Sequence, residues 1–167
     1  MTESAGEKKI IIDACVLIDF VKADISIFQS ITQFIGQLHV ISTVMEEVHD
    51  IRQEEQNIPG LIIIEPELED ASLAYSVRMP ISSEDYLCLL TAKRHGLICI
   101  TNDSCLRREC EKQGIPIIWG LGLLLELHER KGIQTEKAKE IAEKIHENNP
   151  KYITKSILAD FIKKISS

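Results

Sequence analysis

The sequence lacks any apolar run near the roughly 20 residues that a membrane-spanning helix needs. Its first residues, MTESAGEKK, are polar and lack the apolar core of a secretory signal peptide. The five cysteines are odd in number and scattered among apolar residues, without a CxxC pair, which argues against structural zinc and is typical of reduced thiols. We therefore expect a cytoplasmic protein that makes no use of a membrane.

An excess of positive charge is also lacking, since the chain has a formal net charge of −7. This balance argues against a protein that coats nucleic acid. The charge is uneven, because residues 1–126 carry a net −10 and residues 127–167 a net +3. For the lysine-rich second segment, the pattern favours a solvated helix face over a nucleic-acid patch.

Internal repeats and low-complexity linkers are absent from the 167 residues, of which 44% are hydrophobic. A chain of this size suits one compact core. We predict an α/β domain over residues 1–126 and a C-terminal helical extension, residues 127–167, that packs on the same domain.

Short apolar runs rich in isoleucine recur along the chain with helix-length segments between them. Continuous apolar strands that alternate with helices predict a parallel sheet covered on both faces. The fold class is therefore α/β, a three-layer α/β/α sandwich with five parallel strands, for which we predict the order 3-2-1-4-5. The predicted strands lie within residues 8–13, 38–43, 60–66, 96–103 and 115–120.

Three helices are predicted after the last strand. The last two carry apolar residues three and four positions apart, so we expect them to pack on the domain or on a partner. The apolar positions are Ala138, Ile141, Ala142, Ile145, Ile153, Ile157, Leu158 and Phe161.

Acidic residues follow the predicted strands at one end of the sheet. Asp13 interrupts the apolar stretch IIIDACVLIDF where strand one ends, and Asp103 closes the TND that ends strand four. In the predicted order these strands are neighbours, and ligands gather at the carboxyl ends of strands where the order reverses. Glu46 or Glu47, early in the helix after strand two, and Asp85, in the first turn of the helix before strand four, can reach the same end.

Four carboxylates that converge would repel one another and favour a bound cation. Oxygen ligands without histidine or cysteine favour Mg²⁺ or Mn²⁺ over zinc. Such an ion activates water and stabilises charge on a phosphate, which is the chemistry of metal-dependent phosphodiester hydrolysis.

Each acid except Asp13 also has a purely structural interpretation. Asp85 completes a capping box with Ser82, and Asp103 is placed to cap the helix SCLRREC. Glu46 and Glu47 would favour the positive end of their helix.

The motifs IIIDACVLIDF, TVMEEV, SSEDYLCLLTAKRHG and ICITND together resemble those of PIN-domain nucleases. The resemblance covers about residues 8–120. Beyond these residues, WGLGLLLELHERKGI and YITKSIL resemble the continuation in a bacterial and archaeal subgroup of stand-alone PIN proteins. The resemblance as a whole implies that residues 1–126 form a PIN-like nuclease domain.

The resemblance implies metal-binding and catalytic roles for Asp13, Glu47, Asp85 and Asp103. It favours Glu47 over Glu46 because the family acid is usually followed by an aliphatic residue, here Val48. Thr101 and Asn102 would support the site. Cys15 departs from the pattern, since the family commonly has Asn or Ser there.

Two hypotheses follow for the function. The first is a Mg²⁺- or Mn²⁺-dependent endoribonuclease that hydrolyses RNA and forms a homodimer. Under this hypothesis the protein is the toxin of a toxin–antitoxin pair, and its partner is an antitoxin protein. The second is a non-catalytic PIN-like module that binds RNA or a protein and uses its acids only for structure.

Overall fold

The computed structural model describes residues 6–51 and 58–167, and the side chains of all of these except residues 49–51. The polar segment 1–5 therefore lies outside the described residues. Five parallel strands form one sheet in the predicted order 3-2-1-4-5. The strands are β1 (Lys8–Ile12), β2 (Gly36–Ile41), β3 (Leu61–Ile64), β4 (Ile98–Ile100) and β5 (Ile117–Ile118).

Helices connect and flank these strands. Those in the described residues are α1 (Ala14–Ala23), α2 (Ile27–Phe34), α3 (Ser42–Ile51), α4 (Leu68–Ser76), α5 (Ser83–His95), α6 (Ser104–Lys112), α7 (Gly120–Glu129), α8 (Thr135–Asn148) and α9 (Lys155–Ser166). None of them is long and apolar enough to cross a membrane.

β1 is the central strand of the sheet and the most deeply buried. Ile10, Ile11 and Ile12 are completely inaccessible to solvent. Because successive side chains of a strand point to opposite faces, helices must cover both faces of the sheet here. The protein therefore has the predicted three-layer α/β/α architecture, with its main core around β1.

The second strand begins and ends two residues earlier than the sequence predicts. Gly36 starts β2 opposite Lys8 of β1, with φ of 152°, and a Cβ atom at this position would lie 1.9 Å from the Lys8 carbonyl oxygen. Only glycine permits this approach of the two backbones. At the other end Ser42 already belongs to α3, so β2 stops at Ile41.

β3 is less buried than a strand covered on both faces would be. It lies at the edge of the sheet and pairs only with β2, and Ile62 and Ile63 are exposed in the part of the chain that the structure describes. The apolar run that predicts this strand does not distinguish an edge from a central position.

The C-terminal helices pack on the α/β core. α8 contacts α1, α7 and α9, and α7 contacts α9. Asn149, which follows α8, donates to both oxygens of Asp19 in α1, at 3.2 and 3.3 Å. Lys137, in the first turn of α8, lies 2.8 Å from Asp24 at the end of α1. These two contacts fix α1 and α8 in an antiparallel arrangement.

The predicted apolar faces of the last two helices are covered to different degrees. The four positions of α8 are buried, as are Ile153 and Phe161, whereas Leu158 is half-buried and Ile157 is exposed. α8 therefore packs fully on this chain, and α9 leaves part of its apolar face at the surface. The division of the chain at residue 126 remains a prediction.

We expect Asn149→Ala to lower the free energy of unfolding by about 1–3 kcal/mol, because the buried carboxylate of Asp19 loses its amide donor. Urea unfolding followed by circular dichroism measures the change. Asn148→Ala is the matched control, since Asn148 is exposed and one residue away. Equal losses in the two variants would show that the Asp19 contact contributes nothing.

Candidate active site

The carboxyl ends of β1 and β4 meet at the centre of the sheet. Ile12 pairs with Ile100, and the Asp13 backbone N–H donates to the Ile100 carbonyl oxygen at 3.1 Å. Asp13 and Thr101 therefore leave adjacent strands at the same level. This is the point where the strand order reverses and where open α/β sheets bind their ligands.

Asp13 is a buried carboxylate, with only 2% of the residue exposed. Its Oδ1 accepts a hydrogen bond from the Val16 N–H at 2.9 Å, so the side chain caps α1. Its Oδ2 accepts a hydrogen bond from the Thr101 hydroxyl at 2.5 Å. The sequence suggests capping roles only for Asp85 and Asp103, and the structure adds one for Asp13.

Thr101 joins the ends of the two strands. It is completely buried, and its hydroxyl accepts a hydrogen bond from the Asp103 N–H at 3.0 Å while it donates to Asp13. Because a hydroxyl carries one proton, the donation to Asp13 fixes its orientation. Thr101 thus sets the position of both strand-end acids.

Asp103 and Asp85 lie at the N-termini of two further helices. Asp103 caps α6, since its Oδ1 accepts from the N–H groups of Cys105 and Leu106 at 2.7 and 3.0 Å. Asp85 lies in the first turn of α5 and donates its N–H to the Ser82 hydroxyl at 3.1 Å, the capping interaction that the sequence predicts. The N-termini of α1, α5 and α6 thus each carry one of the predicted aspartates.

The three aspartates share one electrostatic environment. Burial raises the pKa of Asp13 to about 7, against the hydrogen bonds from Thr101 and Val16, and the charges of Asp85 and Asp103 add to the rise. Burial also raises the pKa of Asp85, as does the charge of Asp103. The arrangement is therefore short of positive charge, and any cation that entered it would be stabilised.

The fourth predicted acid lies on α3. Glu47 is half-buried, whereas the neighbouring Glu46 is exposed, and α3 packs against α1. Among residues 6–51 and 58–167, no three or more His, Cys, Asp or Glu side chains are grouped closely enough to hold a metal ion. The structure thus brings Asp13, Asp85 and Asp103 into mutual electrostatic influence.

Cys15, where the sequence departs from the PIN pattern, lies in the first turn of α1 and is exposed. Desolvation around its thiol raises its pKa to about 12, and the charge of Asp13 is the next largest cause. The raised pKa disfavours the thiolate form of Cys15.

Asn102 supports the start of the next helix. Its Oδ1 accepts a hydrogen bond from the Gly120 N–H at 2.9 Å, the first residue of α7. A Cβ atom at Gly120 would lie 3.1 Å from both the Oδ1 and the Nδ2 atom of Asn102, so glycine permits this close contact. Asn102 thus ties the end of β4 to the C-terminal helices.

Asp19 is a buried acid near the site that the sequence analysis does not single out. It lines a small cavity with Asn102 and Gly120, and burial raises the pKa of its carboxyl against the hydrogen bond from Asn149. Its signal in the sequence is the one that marks Asp13, an aspartate within an apolar run, VLIDFV.

An α/β/α sandwich with aspartates where the strand order reverses defines a protein with a polar site at that edge of its sheet. In a comparison with protein families, the chain matches the model of the PIN domain over residues 9–167. It therefore belongs to the PIN-domain family and has a nuclease-like fold, as the sequence motifs predict. No curated protein matches the chain.

We expect Thr101→Val to lower the free energy of unfolding by about 1–3 kcal/mol, because the Asp13 carboxylate and the Asp103 N–H both lose a buried partner. Urea unfolding measures the loss. Thr101→Ser is the control, since it keeps the hydroxyl and removes one methyl group. Loss of the methyl group alone should lower the free energy of unfolding by about 1 kcal/mol. A serine variant no more stable than the valine variant would contradict the proposed hydrogen-bond bridge.

Proposed function

We propose that this PIN-domain protein is a divalent-metal-dependent endoribonuclease. The observation that carries the proposal is the buried carboxylate of Asp13 at the end of the central strand, under the influence of Asp85 and Asp103. Natural proteins rarely bury a carboxylate next to like charges unless a function requires it.

The donor chemistry of these residues fits Mg²⁺ or Mn²⁺. Carboxylate oxygens are hard ligands, and the pKa of Asp13, which is raised by burial and then by the charges of Asp85 and Asp103, marks a carboxylate that a divalent ion would stabilise. Asp13, Glu47, Asp85 and Asp103 are the residues proposed to hold it. Bound there, the ion would supply Lewis-acid assistance to phosphodiester hydrolysis.

The chain's own residues prepare the site for an anionic substrate. Thr101 holds the Asp13 carboxylate in one orientation through its hydroxyl. Three helices begin at the aspartates. Asp13 caps α1 and Asp103 caps α6, while Asp85 lies in the first turn of α5, which Ser82 caps. Helix N-termini carry partial positive charge, so they stabilise both the carboxylates and an approaching phosphate.

We further propose that the substrate is RNA and that the protein is cytoplasmic, where it acts as the toxin of a toxin–antitoxin pair. This proposal implies an antitoxin partner that covers the acidic site. A homodimer is part of the same proposal and follows from the resemblance to stand-alone PIN proteins.

The second candidate is a non-catalytic PIN-like module that binds RNA or a protein. The observation that favours it is the open arrangement of the acids, which form no closed ligand set within the described ranges. In that case Asp13 and Asp103 act only as helix caps, Asp85 only supports the first turn of α5, and divalent ions leave the stability unchanged.

We expect Asp13→Asn to reduce Mn²⁺-dependent cleavage of a single-stranded RNA by at least about a hundredfold, because it removes the most buried charge at the site. Asparagine also caps helices, so the variant should fold. In EDTA its unfolding midpoint should stay near that of the wild type, because the loss of a desolvated carboxylate is offset by the loss of one acceptor for the Val16 N–H or the Thr101 hydroxyl.

Mn²⁺ should raise the unfolding midpoint of the wild type and have a smaller effect on Asp13→Asn. Full activity in the variant would overturn the proposed role of Asp13. Absence of both cleavage and Mn²⁺ stabilisation in the wild type would favour the non-catalytic module.

We expect Glu47→Gln to reduce cleavage by about tenfold or more, and Glu46→Gln to leave it unchanged. The two residues are adjacent on α3, so the variants form a matched pair in which only the proposed ligand is altered. Initial rates at saturating Mn²⁺ measure the difference. Equal rates would remove Glu47 from the site, and the reverse order would assign its role to Glu46.

A further inference from the structure

A groove of about 420 Å³ runs between α7 and α9. Its walls are mainly apolar, with Leu121, Leu125, Ile153 and Phe161 among them. Asn102 also lines it. Asn102 stands between Thr101 and Asp103 in the chain, so the segment that carries Asp103 also contributes to the lining of the groove.

Two partly exposed aromatic rings line this groove, and each is paired with a cation. Trp119 is 40% exposed, and the Arg107 guanidinium carbon lies 4.9 Å from its ring centroid. Tyr152 is 46% exposed, and the Lys151 ammonium nitrogen lies 5.7 Å from its ring centroid. Rings with a free face and a neighbouring cation are the elements that bind single-stranded nucleic acid, where the ring stacks on a base and the cation attracts the phosphate.

The charges around the groove differ from those of the rest of the domain. Residues 1–126 carry a net −10 and would repel a polyanion, whereas the groove has Arg107, Lys151 and Lys164 at its edges. The acidic residue of the groove, Asp160, is paired with Lys164 at 3.0 Å. Arg107 lies one turn beyond Asp103 in α6, so one of these cations adjoins the proposed cleavage site.

We propose that the α7–α9 groove binds bases of single-stranded RNA next to the bond that is cleaved. Trp119 and Tyr152 stack on bases, the apolar walls enclose them, and Arg107 and Lys151 attract the adjoining phosphates. This inference rests on the proposed ribonuclease function, because it places the groove in the path of that substrate. It assigns the exposed part of α9 to substrate binding, and not to a contact with protein.

Trp119 is the single tryptophan of the chain, so its fluorescence reports on this groove alone. The experiment titrates the full-length protein, in EDTA, with an oligoadenylate of about eight nucleotides, which is within the range that one single-strand site covers. We expect saturable quenching of the Trp119 emission. A duplex of the same length should quench much less, since its bases are already stacked.

Tyr152→Ala should weaken the oligoadenylate affinity by about tenfold or more, the effect of losing one stacked base. Tyr75→Ala is its matched control, because Tyr75 is an exposed tyrosine on α4 outside the groove. Lys164→Ala should weaken binding more than Lys163→Ala, which removes a neighbouring exposed lysine that does not line the groove.

Cleavage assays with Mn²⁺ separate this inference from the proposed function. If both hold, Tyr152→Ala raises KM for the oligoadenylate and leaves kcat nearly unchanged. The groove assignment is overturned if the wild type cleaves RNA without quenching of Trp119 and Tyr152→Ala has an unchanged KM. The proposed ribonuclease function would still hold in that case. Quenching that depends on Tyr152, without cleavage by the wild type, overturns the hydrolysis and supports base binding by the groove.

The assignment to RNA also fails if the groove serves another occupant. Light scattering on the wild type and Tyr152→Ala tests for a second copy of the chain. A loss of self-association in the variant, with unchanged oligoadenylate affinity, would identify the groove as a contact between copies. Equal quenching by duplex and single strand would show general attraction of a polyanion, and would likewise overturn base stacking.

Discussion

The candidate site depends on one hydroxyl group. Thr101 donates its only hydroxyl proton to Asp13 and accepts the N–H of Asp103, so the two strand-end acids are joined through a single buried oxygen. The pairing of β1 with β4 brings the three residues together, and the hydroxyl bridges the two chains where they leave the sheet. The two acids that it joins cap α1 and α6.

The site combines burial of charge with compensation by helix ends. An aspartate as inaccessible as Asp13 would be destabilising without donors, and it receives them from Val16 and Thr101. These donors do not fully offset desolvation and the two neighbouring carboxylates, so the pKa of Asp13 stays raised. The protein thus retains a local electrostatic strain at one edge of an otherwise well-packed sheet, as expected where stability is exchanged for function.

The sequence was informative where local rules decide the structure. Alternation of isoleucine-rich runs with helices predicted the parallel sheet, and the Ser82–Asp85 spacing predicted the start of α5. Local patterns also place Asp13 and Asp103 at strand ends. The bond between Asp19 and Asn149, which are 130 positions apart, follows from no local rule.

Exposure and side-chain geometry were also beyond the sequence. The sequence of β3 is as apolar as that of a central strand, so it does not indicate that one edge of β3 is unpaired. The sequence predicts that four acids approach one another, but their separation depends on backbone positions to within an ångström or two. The structure brings Asp13, Asp85 and Asp103 into electrostatic contact, and the role of Glu47 rests on the family pattern.

The antiparallel attachment of α8 to α1 has a consequence for synthesis of the protein. α1 begins at Asp13 and is made early, but the groups that bind its outer face, Lys137 and Asn149, are made more than a hundred residues later. Domains fold as units while the chain emerges from the ribosome. The helix that Asp13 caps is therefore fully packed only after α8 has emerged.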